Sequence, residues 1–323
     1  MLKNLAWRLF SKIIIVLYDF KIKSPASGKL ELVEDLRKEF QNILPKEMKN
    51  CSLVEKEWEE NMNRLRELIL TKNPREFLRW DVIRKTMSVD HAPYIRTELN
   101  HLKGRHDWNE LWRDAIKKDV TGSPMPFPLY PRSSGNVIHH AYHLCQFEEK
   151  TKIRGEKTNF IFEFGGGYGG MCKLIHNLGF KGKYLIFDLP PFFFLQKFFL
   201  RSSGIPVHTI DTFMRADSGV VCVSDIEELD IILDNHRDEK QSLFIATWSI
   251  SEVPVSLRKM ILPLISRFSS YLIAFQDRFG KVNNNEFFEN WQRNYNNDLL
   301  WFGWKIGHLP GHNYLIGTRF ISE

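Results

Sequence analysis

The sequence predicts an α/β protein: a doubly wound, mainly parallel sheet that ends in an antiparallel hairpin, preceded by a region of helices. Three observations predict it. From about residue 135 onward, short apolar runs alternate with helix-like segments. One of those runs breaks into a turn with five glycines in the six positions 165–170. The last two runs are joined by only His308-Leu309-Pro310-Gly311-His312, which is too short for a parallel crossover and so predicts a hairpin.

Taken in order, residues 1–18 place Leu2, Leu5, Leu9, Ile13, Val16 and Leu17 on one helical face, with cations largely elsewhere. The continuous apolar run, 13–17, is too short to span a bilayer, and no small-residue cleavage site follows it. Such a helix suits peripheral contact with an anionic membrane surface. A plain docking helix is favoured, because Ile14 and Ile15 widen the apolar face. Segments 30–42, 55–70 and 107–118, rich in Glu, Lys, Arg and Leu at spacings of three and four, are expected as helices. Four prolines in 123–132 exclude helix interior there and mark a boundary between a helical region, 1–125, and a sheet domain, 126–323.

Beyond the boundary a helix over 135–147 leads into the first strand, 159–164. Further strands are expected at 183–187, 207–210, 220–223, 242–247, 271–276, 301–307 and 313–320, with helices over 191–202, 254–268 and 285–295. The aromatic stretch 192–200 reads as a buried helix between the sheet and the amino-terminal region, with a dimer contact as the minority reading. Composition neither requires nor excludes a homo-oligomer.

Composition narrows the function classes. The chain has 323 residues, 43% hydrophobic and 26% charged, as in ordinary globular proteins. Most of the net charge of +6 comes from Lys3, Arg8, Lys12, Lys21 and Lys23, opposed there by Asp19; the rest is nearly neutral, so no nucleic-acid groove is indicated. Cys51, Cys145, Cys172 and Cys222 are scattered without metal spacing, which suits a reducing cytoplasm and predicts no metal centre.

The glycine turn carries the functional signal. Glu163, Gly165, Gly167 and Gly169 fit E-x-G-x-G-x-G, the first motif of class I methyltransferases, while Gly165, Gly167 and Gly170 also fit the dinucleotide fingerprint G-x-G-x-x-G of an NAD(P)-dependent oxidoreductase. Both readings set a nucleoside-bearing cofactor at the carboxyl edge of the sheet. The acid separates them. An ionised Glu163 in a strand of Phe and Ile is costly unless it meets a cationic site. The ammonium and sulfonium of a methionine-type cofactor supply one, whereas a pyrophosphate repels it. Asp188 ends the next apolar run about twenty residues on, the position of a carboxylate that grips a ribose diol. Standing before Leu189, Pro190 and Pro191, it also suits a helix entry.

Together E-F-G-G-G-Y-G-G at 163–170, F-D-L-P at 187–190 and T-W-S-I-S-E-V-P at 247–254 resemble a family of sugar O-methyltransferases of polysaccharide and glycosylated-metabolite pathways. The likeness covers roughly 130–323. Val253 departs from the more frequent S-E-M-P, a change of packing shape more than of chemistry. The resemblance implies a class I methyltransferase-like seven-stranded sheet and transfer of a methyl from S-adenosylmethionine to a sugar hydroxyl. The acceptor would be free, nucleotide-activated or lipid-linked, and the enzyme cytoplasmic, with room for peripheral contact at the inner membrane.

Such a transfer requires alignment of the acceptor oxygen and removal of its proton. His308 and His312 in the hairpin loop are expected near the cofactor methyl, His312 as the leading base and Glu252 as the second candidate. Glu252 also suits the first turn of a helix, and His312 a packing contact with Trp304. Ser249 and Ser251 can bond sugar hydroxyls. His139 and His143 have the i, i+4 spacing of metal pairs but lack the zincin acid, and from this cluster the substrate candidates are His140 and Tyr142. Arg132 and Ser133 precede it and can meet a phosphate on an activated sugar. Asp225, after the run 220–223, is the expected adenine contact, with Asp211 competing.

Overall fold

The computed structural model describes residues 30–47, 56–89, 92–118, 120–294 and 299–319; the segment 1–18 and Cys51 lie outside them. Its sheet is built from β1 (Phe160–Phe164), β2 (Lys183–Phe187), β3 (Gly219–Val223), β4 (Ser242–Thr247), β5 (Ser270–Gln276), β8 (Leu299–Lys305) and β9 (His312–Arg319). The strand order is β3-β2-β1-β4-β5-β9-β8. A separate small ribbon pairs β6 (Arg278–Phe279) with β7 (Val282–Asn283). β1 to β5 pair in parallel, and β9 runs antiparallel to both β5 and β8. β8 is therefore parallel to the first five strands, so the loop after it reaches their carboxyl edge, as the short connection predicts.

Strand alternation divides the core into two layers. Ile161, Tyr184, Ile186, Ile245 and Leu272 face the layer of α1 (Leu30–Glu47), α2 (Lys56–Thr71), α3 (Asp81–Met87), α4 (Ile95–Lys103), α5 (Gly135–Thr151), α6 (Gly170–Asn177) and α7 (Pro190–Ser202). Phe162, Leu185, Phe244 and Ile273 face the opposite layer, which includes Leu229, Ile261 and Phe288. Glu163 shares the parity of Ile161, so it points toward the first layer. That layer is one continuous cluster running from Val33 to Ile316. The aromatic helix α7 lies against α1: Phe194 meets Phe40 edge-on at 5.1 Å, and Arg201 bonds Glu39 at 3.1 Å.

Three local expectations change. The segment 207–210 is not a strand: Val207 makes an isolated bridge to Val220, and the Thr209 hydroxyl accepts from the Thr212 amide, opening α8 (Ile210–Arg215). The expected helix over 107–118 becomes a π-helical turn, Trp108–Trp112, followed by Arg113–Ala115. The expected helix over 254–268 is α10 (Val255–Leu264), whose last turn contains Pro263. The proline-rich stretch is non-helical as expected; it is buried over 123–128, with Phe127 fully covered, and turns at 128–129, where Phe127 bridges to Tyr130.

Candidate functional site

The turn after β1 has the backbone that only glycine holds without strain. Gly165, Gly167 and Gly169 have φ of 70°, 59° and 90°. A Cβ on Gly165 would stand 2.2 Å from that of Ser249, and one on Gly166 would stand 2.6 Å from Ile186 Cγ2. Two bonds fix the turn in place. The Gly165 amide donates to the Phe187 carbonyl at 2.7 Å, and the Gly167 amide donates to Asp188 Oδ2, also at 2.7 Å.

Asp188 thus binds the first motif to the second. Its other oxygen accepts from the Leu189 amide at 2.7 Å, and Gln196 donates to Oδ2 at 3.1 Å. Burial pushes this carboxyl up to about 7 against the pull of those donors. Glu163, 4% exposed, accepts from the Tyr184 hydroxyl at 2.8 Å. Burial pushes it up to about 8; the tyrosine bond lowers it and Asp188 raises it further. The strand tolerates this acid through one protein donor and a proton held to unusually high pH, which leaves room for a cation to take that proton's place.

The third motif closes the other side. The Ser249 hydroxyl donates to the Phe164 carbonyl, so the residue that crowds Gly165 is also bonded to β1. Trp248 sits at φ 64°, a left-handed conformation rare for so bulky a residue, held by its amide on the Ala274 carbonyl at 2.6 Å. Beneath it the fully buried Arg258 donates to the carbonyls of Ser251 and Val253 and, at 2.7 Å, to Asn284 Oδ1. Burial pushes its guanidinium down to about 10.

These segments border a cavity of about 480 Å³ at the carboxyl edge of the sheet, within the size range of small-molecule sites. Its far wall comes from elsewhere in the chain: residues 86–89 and Tyr94, then Asn136, His139 and His140 of α5, and Leu309 and His312 of the hairpin loop. Asn136 clasps this wall. Its amide nitrogen donates to the Met87 carbonyl and its oxygen accepts from the Val89 amide, both at 2.8 Å.

Behind that wall lies a charged group with no access to solvent. Glu98 of α4 is 0% exposed, and its carboxylate lies 2.9 Å from His139 Nδ1 and 2.9 Å from His308 Nε2. Burial alone would raise this carboxyl, but the two histidines hold it below its ordinary value. His139 stacks on Trp248 at 4.9 Å and meets His143 edge-on at 4.2 Å. His143 is bonded through Nδ1 to the Tyr314 hydroxyl, and burial holds it well below the ordinary histidine range. His140 is pushed down to about 3 by burial and by His139, and its buried Nδ1 has no partner among the described residues.

Of the residues expected from sequence, Glu163, Gly165, Gly167, Asp188, His140, Ser249, Glu252 and His312 line this cavity. Glu252 accepts from Gln276 at 3.2 Å, and His312 meets Trp248 edge-on. Gly169 stands behind the wall, against Leu200. The others do not line it. Asp225 caps α9 (Ile226–Asn235), accepting from the amides of Glu227 and Glu228. Ser133 and Ser251 are fully buried and bonded to the Ser134 carbonyl and to Gln276 respectively. Arg132 is exposed, and Tyr142 packs between His101 and His308. Glu98, Trp248, Tyr94 and Asn136 were not expected. Glu98 carries one readable signal, an acid on the apolar stripe of Ile95, Leu99 and Leu102.

A parallel sheet ordered β3-β2-β1-β4-β5, extended by an antiparallel β9 with β8 at its edge, is the class I methyltransferase fold. No family model and no curated protein matches the chain. Solved structures of similar fold include the methyltransferase domain of bacterial CtHen1, at 8% identity and TM-score 0.39, covering 56% of this chain and 96% of that one. An rRNA methylase from Streptococcus thermophilus is 11% identical, with TM-score 0.38 over 57% of this chain and 95% of its own. A precorrin-6y C5,15-methyltransferase from Geobacter metallireducens is 12% identical, with TM-score 0.33 over 55% and 85%. The strand order, not these distant likenesses, defines the fold class.

Proposed function

We propose that this chain is an S-adenosylmethionine-dependent O-methyltransferase whose acceptor is a sugar hydroxyl, free, nucleotide-activated or lipid-linked, in the assembly of a surface polysaccharide or glycoconjugate. One observation carries the reading. Three segments far apart in sequence, 163–170, 187–190 and 247–254, are bonded to one another around a single cavity through Asp188 and Ser249. The same three segments carry the resemblance to sugar O-methyltransferases.

The residues fit the cofactor. Gly165 to Gly167 allow close approach to backbone, Asp188 suits a ribose diol, and Glu163 suits the ammonium end. When bound, S-adenosylmethionine supplies an electrophilic methyl on a sulfonium. The chain's part is to hold the acceptor, exclude water and accept a proton. The resemblance supports the sugar, and His140, expected as a substrate contact, lines the cavity. Among the described residues no helix is long and apolar enough to cross a membrane.

Isothermal titration with S-adenosylhomocysteine and with NAD tests the donor. Binding of the first without the second is expected, and the reverse would return the chain to the oxidoreductase reading. Labelled methyl transfer to free and nucleotide-activated hexoses, and to lipid-linked glycans, tests the acceptor.

A further inference from the structure

We infer that His139 is the general base of this site and that Glu98 is its positioning residue, an assignment that rests on the methyl-transfer reading above. An ionised carboxylate only accepts hydrogen bonds, so the imidazoles on Glu98 must present N–H to it: His139 through Nδ1 and His308 through Nε2. A neutral His139 with its proton on Nδ1 has its lone pair on Nε2. That nitrogen has no protein partner among the described residues, and His139 lines the cavity shared with the glycine turn. The ring cannot easily turn away, being stacked on Trp248 and packed against His143 and Tyr94.

Three other histidines nearby are less suited. His143 is wholly buried and bonded to Tyr314, and burial disfavours the imidazolium that either it or His140 would become on taking a proton. His312, though it lines the cavity and meets Trp248 edge-on, has its ring bonded to the Pro310 carbonyl at 3.2 Å and not to a carboxylate. Glu98 gives His139 what His312 lacks: a buried counter-charge that fixes the tautomer and stabilises the imidazolium once it forms.

The proton balance is complete. As the acceptor oxygen bonds to the methyl carbon, the carbon–sulfur bond breaks with its electron pair left on sulfur. The hydroxyl proton moves to His139 Nε2, and the resulting imidazolium keeps its Nδ1–H on Glu98. Release of that proton to solvent resets the base. His308 accepts none of it; its bond to Glu98 anchors the hairpin loop over the pair.

Two measurements on the full chain test this. The first needs no acceptor: 15N NMR of the histidine-labelled protein with S-adenosylhomocysteine bound. His139 should be protonated on Nδ1 and bare on Nε2 at pH 8. Folded Glu98→Ala should lose this tautomer preference, with Glu98→Asp restoring it. A proton on Nε2 in the wild type, or an unchanged tautomer in folded Glu98→Ala, would overturn the assignment. The groups facing the ring are Glu98, Tyr94, His140 and His143, with His308 beyond the carboxylate and Glu252 and His312 across the cavity.

The second is kinetic. His139→Gln should lower kcat by roughly 10²- to 10⁴-fold while S-adenosylhomocysteine affinity and acceptor KM stay within about threefold. Loss of kcat by less than about threefold in a folded His139→Gln sinks the proposal. Wild-type protein that fails to bind S-adenosylhomocysteine sinks instead the methyl-transfer reading beneath it.

Discussion

The two walls of the cavity are made in different ways. The wall bearing the glycine turn is local: Glu163, Gly165 and Gly167 lie within five residues, and Asp188 joins them at the end of the neighbouring strand. The opposite wall is assembled at long range, with Glu98 meeting His139 across 41 residues and His308 across 210. The first depends on backbone shape, where glycine has no substitute. The second depends on a buried charge whose two partners come from separate elements, α5 and the hairpin loop. Damage to the first should therefore appear as lost affinity for the cofactor, and damage to the second as lost turnover.

The sharpest way to break this contrast lies at Asp188. Asp188→Ala removes an acceptor shared by two amides and Gln196, and S-adenosylhomocysteine affinity should fall by roughly 10- to 100-fold, the cost of losing charged hydrogen bonds. Affinity within twofold of wild type, measured by titration calorimetry on folded protein, would remove the ribose role. Next in size is Gly165→Ala. The clash with Ser249 and the positive φ should destabilise the protein by about 1–3 kcal/mol in urea unfolding. Ser249→Gly in the same chain should recover part of that loss, because it removes the opposing Cβ.

A third prediction concerns protons. With Glu163 near 8 and Asp188 near 7 in the free protein, a cationic ligand favours their charged forms. Binding of S-adenosylmethionine at pH 7.5 should therefore release protons and strengthen as pH rises from 6 to 8. Calorimetry in buffers of different ionisation enthalpy reads this directly, and proton uptake would contradict it. The same shift acts on folding. A carboxyl whose folded pKa is raised keeps its proton after the unfolded chain has lost it, so stability falls as pH climbs from 4.5 toward 8. Glu163→Gln should flatten that slope in thermal melts. The smallest effect is expected at Asp225. Its carboxylate caps α9, so Asp225→Ala should cost about 1 kcal/mol of stability and leave cofactor affinity unchanged. A tenfold loss of affinity would bring back the adenine contact.

What could be read in advance follows the same division. The sheet and its terminal hairpin were legible because strand and helix periods differ and because the five residues 308–312 cannot make a crossover. The glycine turn was legible because positive φ and close approach are written in residue type. The run 207–210 misled, since Val207 and Ile210 look like strand residues, and only the hydroxyl of Thr209 marks a helix start. Glu98 was hidden among the many acids of its helical region. His139 was visible as half of an i, i+4 pair, yet nothing in the spacing says that its partner would be a carboxylate 41 residues upstream instead of a metal. Burial and charge pairing are properties of the packed chain, and a one-dimensional pattern records them only faintly.

The clasp made by Asn136 has one more consequence. By tying the strip at Met87 and Val89 to the first turn of α5, it makes the stretch before residue 90 part of the chamber's lining and not an appendage to it. Because Met87 also stands against Gly167, a shift of this strip would reshape both faces of the chamber at once, and Asn136→Ala should loosen them together.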